Sequence, residues 1–150
     1  MKFTFRWGRV EKQDIFNPDL SQTKLKLGLG ATDHLSDRDN RLYRVIHWTV
    51  VTDPLGRWLE WLLGSRGYFG GDPGFLIEYI LSPEEPVALG HYEIWCDPDE
   101  WGETWESLAE TEIYSVEDVR TAIKETLLAY GVEYPEHQKE ALEVIKRYQL

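Results

Sequence analysis

The sequence predicts an α+β fold for residues 1–150, with a mostly antiparallel β-sheet followed by two C-terminal helices that pack on it. Two observations lead to this class. Apolar residues alternate with period two in several segments of residues 1–114, enough for about five to seven strands, and the period lengthens to three or four after Ser115. A length of 150 residues with 42% hydrophobic content fits a single domain.

Two short alternating segments open the chain. In Lys2–Arg9 the aromatic residues Phe3, Phe5 and Trp7 share one side, and in Lys24–Leu29 three leucines do the same. Each segment predicts a strand.

The longest candidate strand is Arg41–Thr52, where Leu42, Ile46, Trp48 and Val50 share a face that Arg44 interrupts. Asp53–Gly56 has turn residues, so Arg57–Leu63 is predicted to return as the second arm of a hairpin. The same residues fit a short helix, with Pro54 at its first position and Gly64 at its end.

Gly64–Gly74 contains five glycines and predicts a loop. Phe75–Leu81 and Val87–Cys96 flank Ser82–Pro86, whose two prolines cannot continue a central strand, so they predict a second hairpin. Glu106–Tyr114 is a further candidate strand.

The C-terminal third predicts two helices. Ser115 has the character of an N-cap with acids in the first turn, Val119, Ile123 and Leu127 follow at helical spacing, and Gly131 is expected to end the helix. Pro135 is expected to open the second helix.

The charge is unevenly distributed. The net charge is −11, yet residues 67–119 hold 14 acidic residues and no Lys or Arg. Such a field disfavours direct binding of nucleic acid. No apolar segment is long enough to span a membrane, and the single Cys96 suits a reducing compartment, so a cytoplasmic protein is expected.

The densest acidic segment is Asp97–Asp118, with nine carboxylates and two tryptophans, Trp101 and Trp105. Unpaired carboxylates at this density repel one another, and aromatic side chains are favoured at interfaces. We therefore expect a soluble, non-enzymatic binding protein for a basic protein partner, such as an immunity or antitoxin-like inhibitor of a nuclease toxin. The predicted contact residues are Asp99, Glu100, Trp101, Glu103, Trp105 and Glu106. A solvated acidic surface that only aids solubility is the competing interpretation.

No enzyme motif is present, and no cofactor or metal site is predicted. The polar segment Asp33–Asn40 lacks the glycine and the closing glutamate of a calcium loop. His47 and His91 both fall on predicted strands and could meet across the sheet, whereas His91 and Cys96 should point to opposite faces.

Two other function classes stay open. One is a small-ligand protein or metal-dependent enzyme with a pocket between sheet and helices, near His47, His91 and Asp33–Asp39. The other is a structural subunit of a homo-oligomer whose aromatic residues are buried against a second copy.

Overall fold

The computed structural model describes residues 5–7, 25–27, 36–71, 74–81, 90–101 and 108–150. Its centre is an antiparallel sheet of four strands in chain order, built from β3 (Tyr68–Gly71), β4 (Phe75–Ile80), β5 (His91–Cys96) and β6 (Thr111–Ser115). Two short strands, β1 (Phe5–Trp7) and β2 (Leu25–Leu27), pair with each other as a separate antiparallel ribbon. The α+β class is therefore confirmed, while the main sheet has fewer strands than the five to seven predicted.

Four α-helices accompany these strands in the described part of the chain. They are α1 (Asp37–Val50), the single turn α2 (Pro98–Trp101), α3 (Val116–Glu133) and α4 (Gln138–Tyr148). A wide helical turn at Trp61–Ser65, kinked at Gly64, precedes β3, and a 3₁₀ turn at Pro135–His137 precedes α4.

The core lies between one face of the sheet and the helices α1 and α3. Phe75, Ile77, Tyr92, Ile94 and Cys96 alternate along β4 and β5 and are buried on this inner face. Helix α1 packs against the same face, because the Tyr114 hydroxyl of β6 donates to the Arg38 carbonyl at 2.7 Å. Helix α1 also contacts α3, where the Tyr43 hydroxyl donates to the Glu125 carboxylate.

The predicted strand at Arg41–Thr52 is wrong, because its residues up to Val50 belong to α1. Ser36 caps the helix by accepting a hydrogen bond from the Asp39 N–H at 3.1 Å, and Asp37 and Asp39 favour its first turn. The polar segment that begins at Asp33 thus contributes its second half to the start of a helix. All residues from Arg41 to His47 are buried, including Arg41, Arg44 and His47, which a sequence pattern alone would assign to a surface.

The first predicted hairpin is also wrong at its second arm. Residues 57–65 form turns and short helical pieces rather than a strand, so the helical alternative is nearer to the structure. The glycine-rich segment Gly64–Gly74, predicted as a loop, contains β3. Two predicted strands are thus replaced by helical segments, while β3 adds a strand that was not predicted.

The second hairpin and the C-terminal helices are confirmed. Strands β4 and β5 pair antiparallel, and the Ser115 side chain accepts from the Asp118 N–H at 3.0 Å as the N-cap of α3. Ser115 is also the last residue of β6, so no loop separates this strand from α3. Gly131 does not end α3. It is buried where α4 approaches, and a Cβ there would lie 3.0 Å from the Gln138 Cα.

The two C-terminal helices form two layers. Helix α3 lies next to β5 and β6, whereas α4 packs mainly against α3. Helix α4 also holds the turn at residues 53–56, because the Glu140 carboxylate accepts from the Leu55 N–H at 2.8 Å. Only α3 therefore packs on the sheet in the way the sequence predicts for both helices.

Candidate functional site

The second face of the four-stranded sheet points away from α1 and α3, and we call it the outer face. Successive side chains of a strand point to opposite faces of a sheet, so the residues that alternate with the buried ones lie on the outer face. Its side chains are half-buried or exposed and come from all four strands, namely Tyr68, Leu76, Glu78, Ile80, His91, Glu93, Trp95, Thr111, Ile113 and Ser115.

One row of this face crosses the entire sheet. Tyr68 is paired with Glu78, Glu78 with Glu93, and Glu93 with Ile113. Two carboxylates therefore stand side by side at the centre of the sheet, with an aromatic residue on one flank and an aliphatic residue on the other. Tyr68 is 43% exposed and Ile113 is 53% exposed, so both flanks are open to solvent.

The central pair places two acidic side chains directly opposite each other on β4 and β5. Directly opposed residues on neighbouring strands have Cβ atoms about 4.5–5.5 Å apart, and like charges at that distance destabilise the sheet. Among the described residues, the His91 imidazole contacts the pair, with its Nε2 3.3 Å from the Glu93 Oε1. In the described part of the chain Glu78 has no ion-pair partner, and residues 67–119 contain no Lys or Arg.

Trp95 extends the aromatic character of the outer face by one row. It is half-buried on β5 and pairs with Leu76 on β4 and Thr111 on β6. Aromatic faces attract Lys and Arg side chains. The outer face therefore combines the two features, carboxylates and aromatic rings, that the sequence places in the segment after β5.

The predicted contact residues are only partly described. Asp99 is exposed on α2, and its N–H donates to the Asp97 Oδ1 at 2.9 Å. Glu100 and Trp101 belong to the same helical turn, although the structure describes only their backbone. Glu103, Trp105 and Glu106 lie outside the described residues. The contact role of these six residues stays a prediction.

Sequence reasoning missed Glu78 and Glu93 because they are 15 positions apart and neither lies in the densest acidic segment. The signal that could have found them is the hairpin predicted around Ser82–Pro86. Glu78 lies on the first arm of this hairpin and Glu93 on the second, so pairing of the arms brings them into the same region. The register that places them opposite each other depends on the turn.

Arginines from the N-terminal half reach part of the acidic region, but from the inner side. Arg38 pairs with Glu112 at 3.7 Å and lies over the Tyr114 ring, 4.4 Å from its centroid. Arg41 Nη1 donates to the carbonyls of Ala109 at 2.7 Å and Glu110 at 3.2 Å. These contacts fix the chain before β6 on the inner side of the sheet.

The proposed meeting of His47 and His91 across a sheet is wrong. His47 is buried on α1, on the inner side, whereas His91 points from β5 to the outer face. In the described ranges, no three His, Cys, Asp or Glu side chains come together in an arrangement that suits a metal ion.

Cys96 is buried on the inner face, opposite to His91, as the alternation of β5 predicts. Burial raises the pKa of its thiol to about 11, and the nearby cations Arg41 and Arg44 oppose this rise without cancelling it. The thiol is therefore protonated at neutral pH and poorly suited to act as a nucleophile.

A separate cleft of about 780 Å³ lies between the first turns of α3 and the ends of β4 and β5. Its lining includes Tyr79 and Gly90, the cations Arg120 and Lys124, and Leu150. Arg120 is already engaged, because its Nη2 donates to the carbonyls of Tyr148 at 2.6 Å and Gln149 at 3.0 Å. Neither His47 nor His91 lines this cleft.

Comparison with known proteins adds no functional assignment, since no family model, no curated protein and no solved structure matches this chain. Among the described residues, no helix combines the length and apolar character needed to cross a membrane.

Proposed function

We propose that this protein is a non-enzymatic acidic binding protein that holds a basic protein partner on the outer face of its sheet. The observation that carries the proposal is the row Tyr68, Glu78, Glu93 and Ile113, in which two adjacent carboxylates lie between apolar flanks. Such a row matches a Lys or Arg side chain with apolar neighbours on a partner.

The electrostatic part of the proposal rests on relief of repulsion. In the free protein, Glu78 and Glu93 repel each other, and a guanidinium placed between them would pair with both. The region of 14 acids without Lys or Arg adds a long-range attraction that raises the association rate with a basic surface.

The aromatic part concerns orientation. Tyr68 ends the row next to Glu78, and Trp95 lies two residues from Glu93 along β5. Their rings can pack on the alkyl and guanidinium parts of a basic side chain bound there. Helix α2 begins two residues after β5 ends, so the predicted contact residues around Asp99 continue this surface along the chain.

Nucleic-acid enzymes have basic clefts, so blocking one such cleft is a role that suits this surface. We propose an immunity or antitoxin-like inhibitor of a basic nuclease toxin, located in the cytoplasm. An outer face with two central carboxylates disfavours pairing with a second copy through the same face, which separates this proposal from a structural homo-oligomer.

The proposal is tested by capture of a partner from native extract on immobilised protein. Three proteins are compared, namely the wild type, the double variant Glu78→Gln/Glu93→Gln and the control variant Glu143→Gln. Glu143 is an exposed residue of α4, away from the outer face. The captured partner is then purified and its association rate measured at about 50 and 300 mM NaCl. We expect a basic partner whose association is roughly tenfold slower with the double variant, unchanged with the control, and slower in high salt.

Equal rates for the wild-type protein and the double variant would refute the outer face as the binding surface. Rates that do not depend on salt would refute the electrostatic mechanism.

The cleft beside α3 favours a second candidate, a protein that binds a small anionic ligand. Its lining carries two cations, Arg120 and Lys124, against one carboxylate, Glu117, and its volume of about 780 Å³ accommodates such a ligand. A rise of the melting temperature with a small organic carboxylate or phosphate, abolished by Lys124→Gln, would support this function.

A further inference from the structure

Strand β6 ends the sheet, so one of its two edges has no neighbouring strand in the described part of the chain. The direction of its backbone groups follows from the pairing with β5. The Cys96 N–H donates to the Glu110 carbonyl at 3.1 Å, and in an antiparallel pair the bonded positions alternate. The N–H and C=O groups of Thr111 and Ile113 therefore point away from β5, towards the open edge.

This edge is accessible. Thr111 is exposed and the Ile113 side chain is 53% exposed. An accessible edge with unpaired backbone groups is a template for an added strand. The neighbouring chain is fixed by the Arg41 guanidinium at Ala109 and by the Ser115 cap of α3, so the edge is held in a strand conformation without a partner.

The charged residues around the two edges of the sheet differ, since those beside β6 are acidic, whereas those before β3 include two arginines and Glu60. Beside β6 lie the exposed carboxylates of Glu110, Glu117 and Asp118, while Arg38 on the inner side is paired with Glu112.

The opposite edge, β3, follows a pair of arginines. Arg66 lies 3.9 Å from the centroid of the Trp61 ring and Arg57 lies 4.8 Å from that of Trp58. A basic segment is therefore attracted to β6 rather than to β3. A second copy of β6 would bring its own carboxylates to the same edge and is repelled.

We propose that the partner contributes an extended basic segment that pairs with β6 as a fifth strand of the sheet. This inference rests on the proposed function and names its binding mode. A basic residue of the added strand opposite Ile113 would lie two strand spacings, about 10 Å, from the backbone of Glu93. An extended Arg or Lys side chain crosses Ile113 and meets the Glu93 carboxylate over that distance.

Backbone hydrogen bonds and side-chain charge then have separate roles. The edge groups of Thr111 and Ile113 bind the backbone of the segment and fix its register. The carboxylates select basic side chains on the outer face. The backbone hydrogen bonds can therefore be removed without changing the charge, which distinguishes strand addition from a purely electrostatic contact.

The test uses a nine-residue peptide of alternating Lys and Val with blocked ends, together with two derivatives N-methylated either at all Lys or at all Val residues. N-methylation keeps the charge and removes the backbone donors of one side of the strand. We expect the unmodified peptide to bind the wild-type protein in low salt and one of the two derivatives to bind roughly tenfold more weakly, because it loses about two backbone hydrogen bonds.

The corresponding change in the protein is Ile113→Pro, which removes an outward-pointing N–H from the edge. We expect this variant to bind the unmodified peptide roughly tenfold more weakly than the wild-type protein does. Hydrogen exchange on the wild-type protein replaces this variant if it does not fold. Bound peptide should slow exchange of the Thr111 and Ile113 amides roughly tenfold and leave that of the Gly70 amide at the β3 edge unchanged.

The outcomes separate the two proposals. Equal binding of all three peptides with unchanged exchange at Thr111 and Ile113 would overturn strand addition and leave the electrostatic outer face in place. Absence of peptide binding would also overturn strand addition, and the capture experiment with the Glu78→Gln/Glu93→Gln variant would then decide the proposed function independently.

Discussion

Arg41 Nη1 donates a hydrogen bond of 2.7 Å to the Ala109 carbonyl, which joins α1 to the chain that leads into β6 across 68 positions of sequence. The same nitrogen contacts the Glu110 carbonyl at 3.2 Å, and the arginine is only 3% exposed. A buried guanidinium that binds backbone carbonyls fixes the position of the edge strand relative to the core.

Replacement of Arg41 by Met is therefore expected to destabilise the protein. The change removes the donor to the Ala109 carbonyl and one of the two donors to the Glu110 carbonyl, which also accepts from the Cys96 N–H. We expect this loss to lower the free energy of unfolding by about 2–4 kcal/mol. Urea denaturation followed by tryptophan fluorescence measures this difference. The control is Arg147→Met on the exposed side of α4, which should change stability by less than about 0.5 kcal/mol. A similar loss in both variants would contradict the structural role of Arg41.

Neutralising one carboxylate of the central pair should stabilise the free protein. Glu78 and Glu93 are directly opposed on β4 and β5, so Glu78→Gln is expected to raise the free energy of unfolding by about 0.2–1 kcal/mol at low salt. The gain should shrink in 1 M NaCl, because salt screens the repulsion in the wild-type protein. Glu143→Gln serves as the control, and an equal gain there would show that only the overall net charge matters.

The free energy of unfolding should fall in alkaline solution, because buried thiol and tyrosine hydroxyl groups stay protonated in the folded state. Burial raises the pKa of the Cys96 thiol to about 11 from its ordinary value of 9.0, so the folded state retains a proton that the unfolded state releases. This contribution is fully present below pH 9 and is lost as the pH rises to about 11, by roughly 1.4 kcal/mol per pH unit at most. Burial also raises the pKa of Tyr92 and of Tyr114, which adds to the loss with the same sign.

The measurement for this prediction is urea denaturation at pH 8, 9, 10 and 11. The variant Cys96→Ala should lose less stability over the range than the wild-type protein, although it starts from a lower value. Parallel curves for the two proteins would show that the thiol does not contribute.

Gly56 is expected to tolerate no side chain. Its φ of +71° is unfavourable for other residues, and a Cβ there would lie 2.9 Å from Val144 Cγ1 on α4. Gly56→Ala should therefore lower the free energy of unfolding by about 2 kcal/mol, as measured by thermal or urea denaturation. Gly71→Ala is the matched control, since nothing lies within 4 Å of the added carbon. Equal stability of the two variants would contradict the packing of α4 on this turn.

The elements predicted correctly are those with strong local signals. Two prolines between Phe75 and Cys96 predict a break between two strands, and β4 and β5 pair as expected. The Ser115 cap with its acidic first turn predicts α3, which begins there. Helix α1 was not predicted, because it is covered on most sides and its buried residues include Arg41, Arg44 and His47. Local patterns show a helix with one apolar face, but they do not show that polar side chains will be buried by distant partners.

The candidate site illustrates the same limit. Composition alone indicates an acidic, aromatic surface, and both outer-face carboxylates lie in the region without Lys or Arg. The sequence does not show that Glu78 faces Glu93, since register depends on a turn and on tertiary packing. It also does not show that β6 forms an edge, because strand order is a property of the assembled sheet.

Ser115 ends β6 and caps α3 at the same time, so the strand and the helix share one residue without an intervening hinge. Any molecule that immobilises this strand consequently also restrains an 18-residue helix that runs through the core. Binding at the sheet edge would then also stabilise α3 and the core that it packs in. The effect would be a higher melting temperature and slower hydrogen exchange of amides far from the contact.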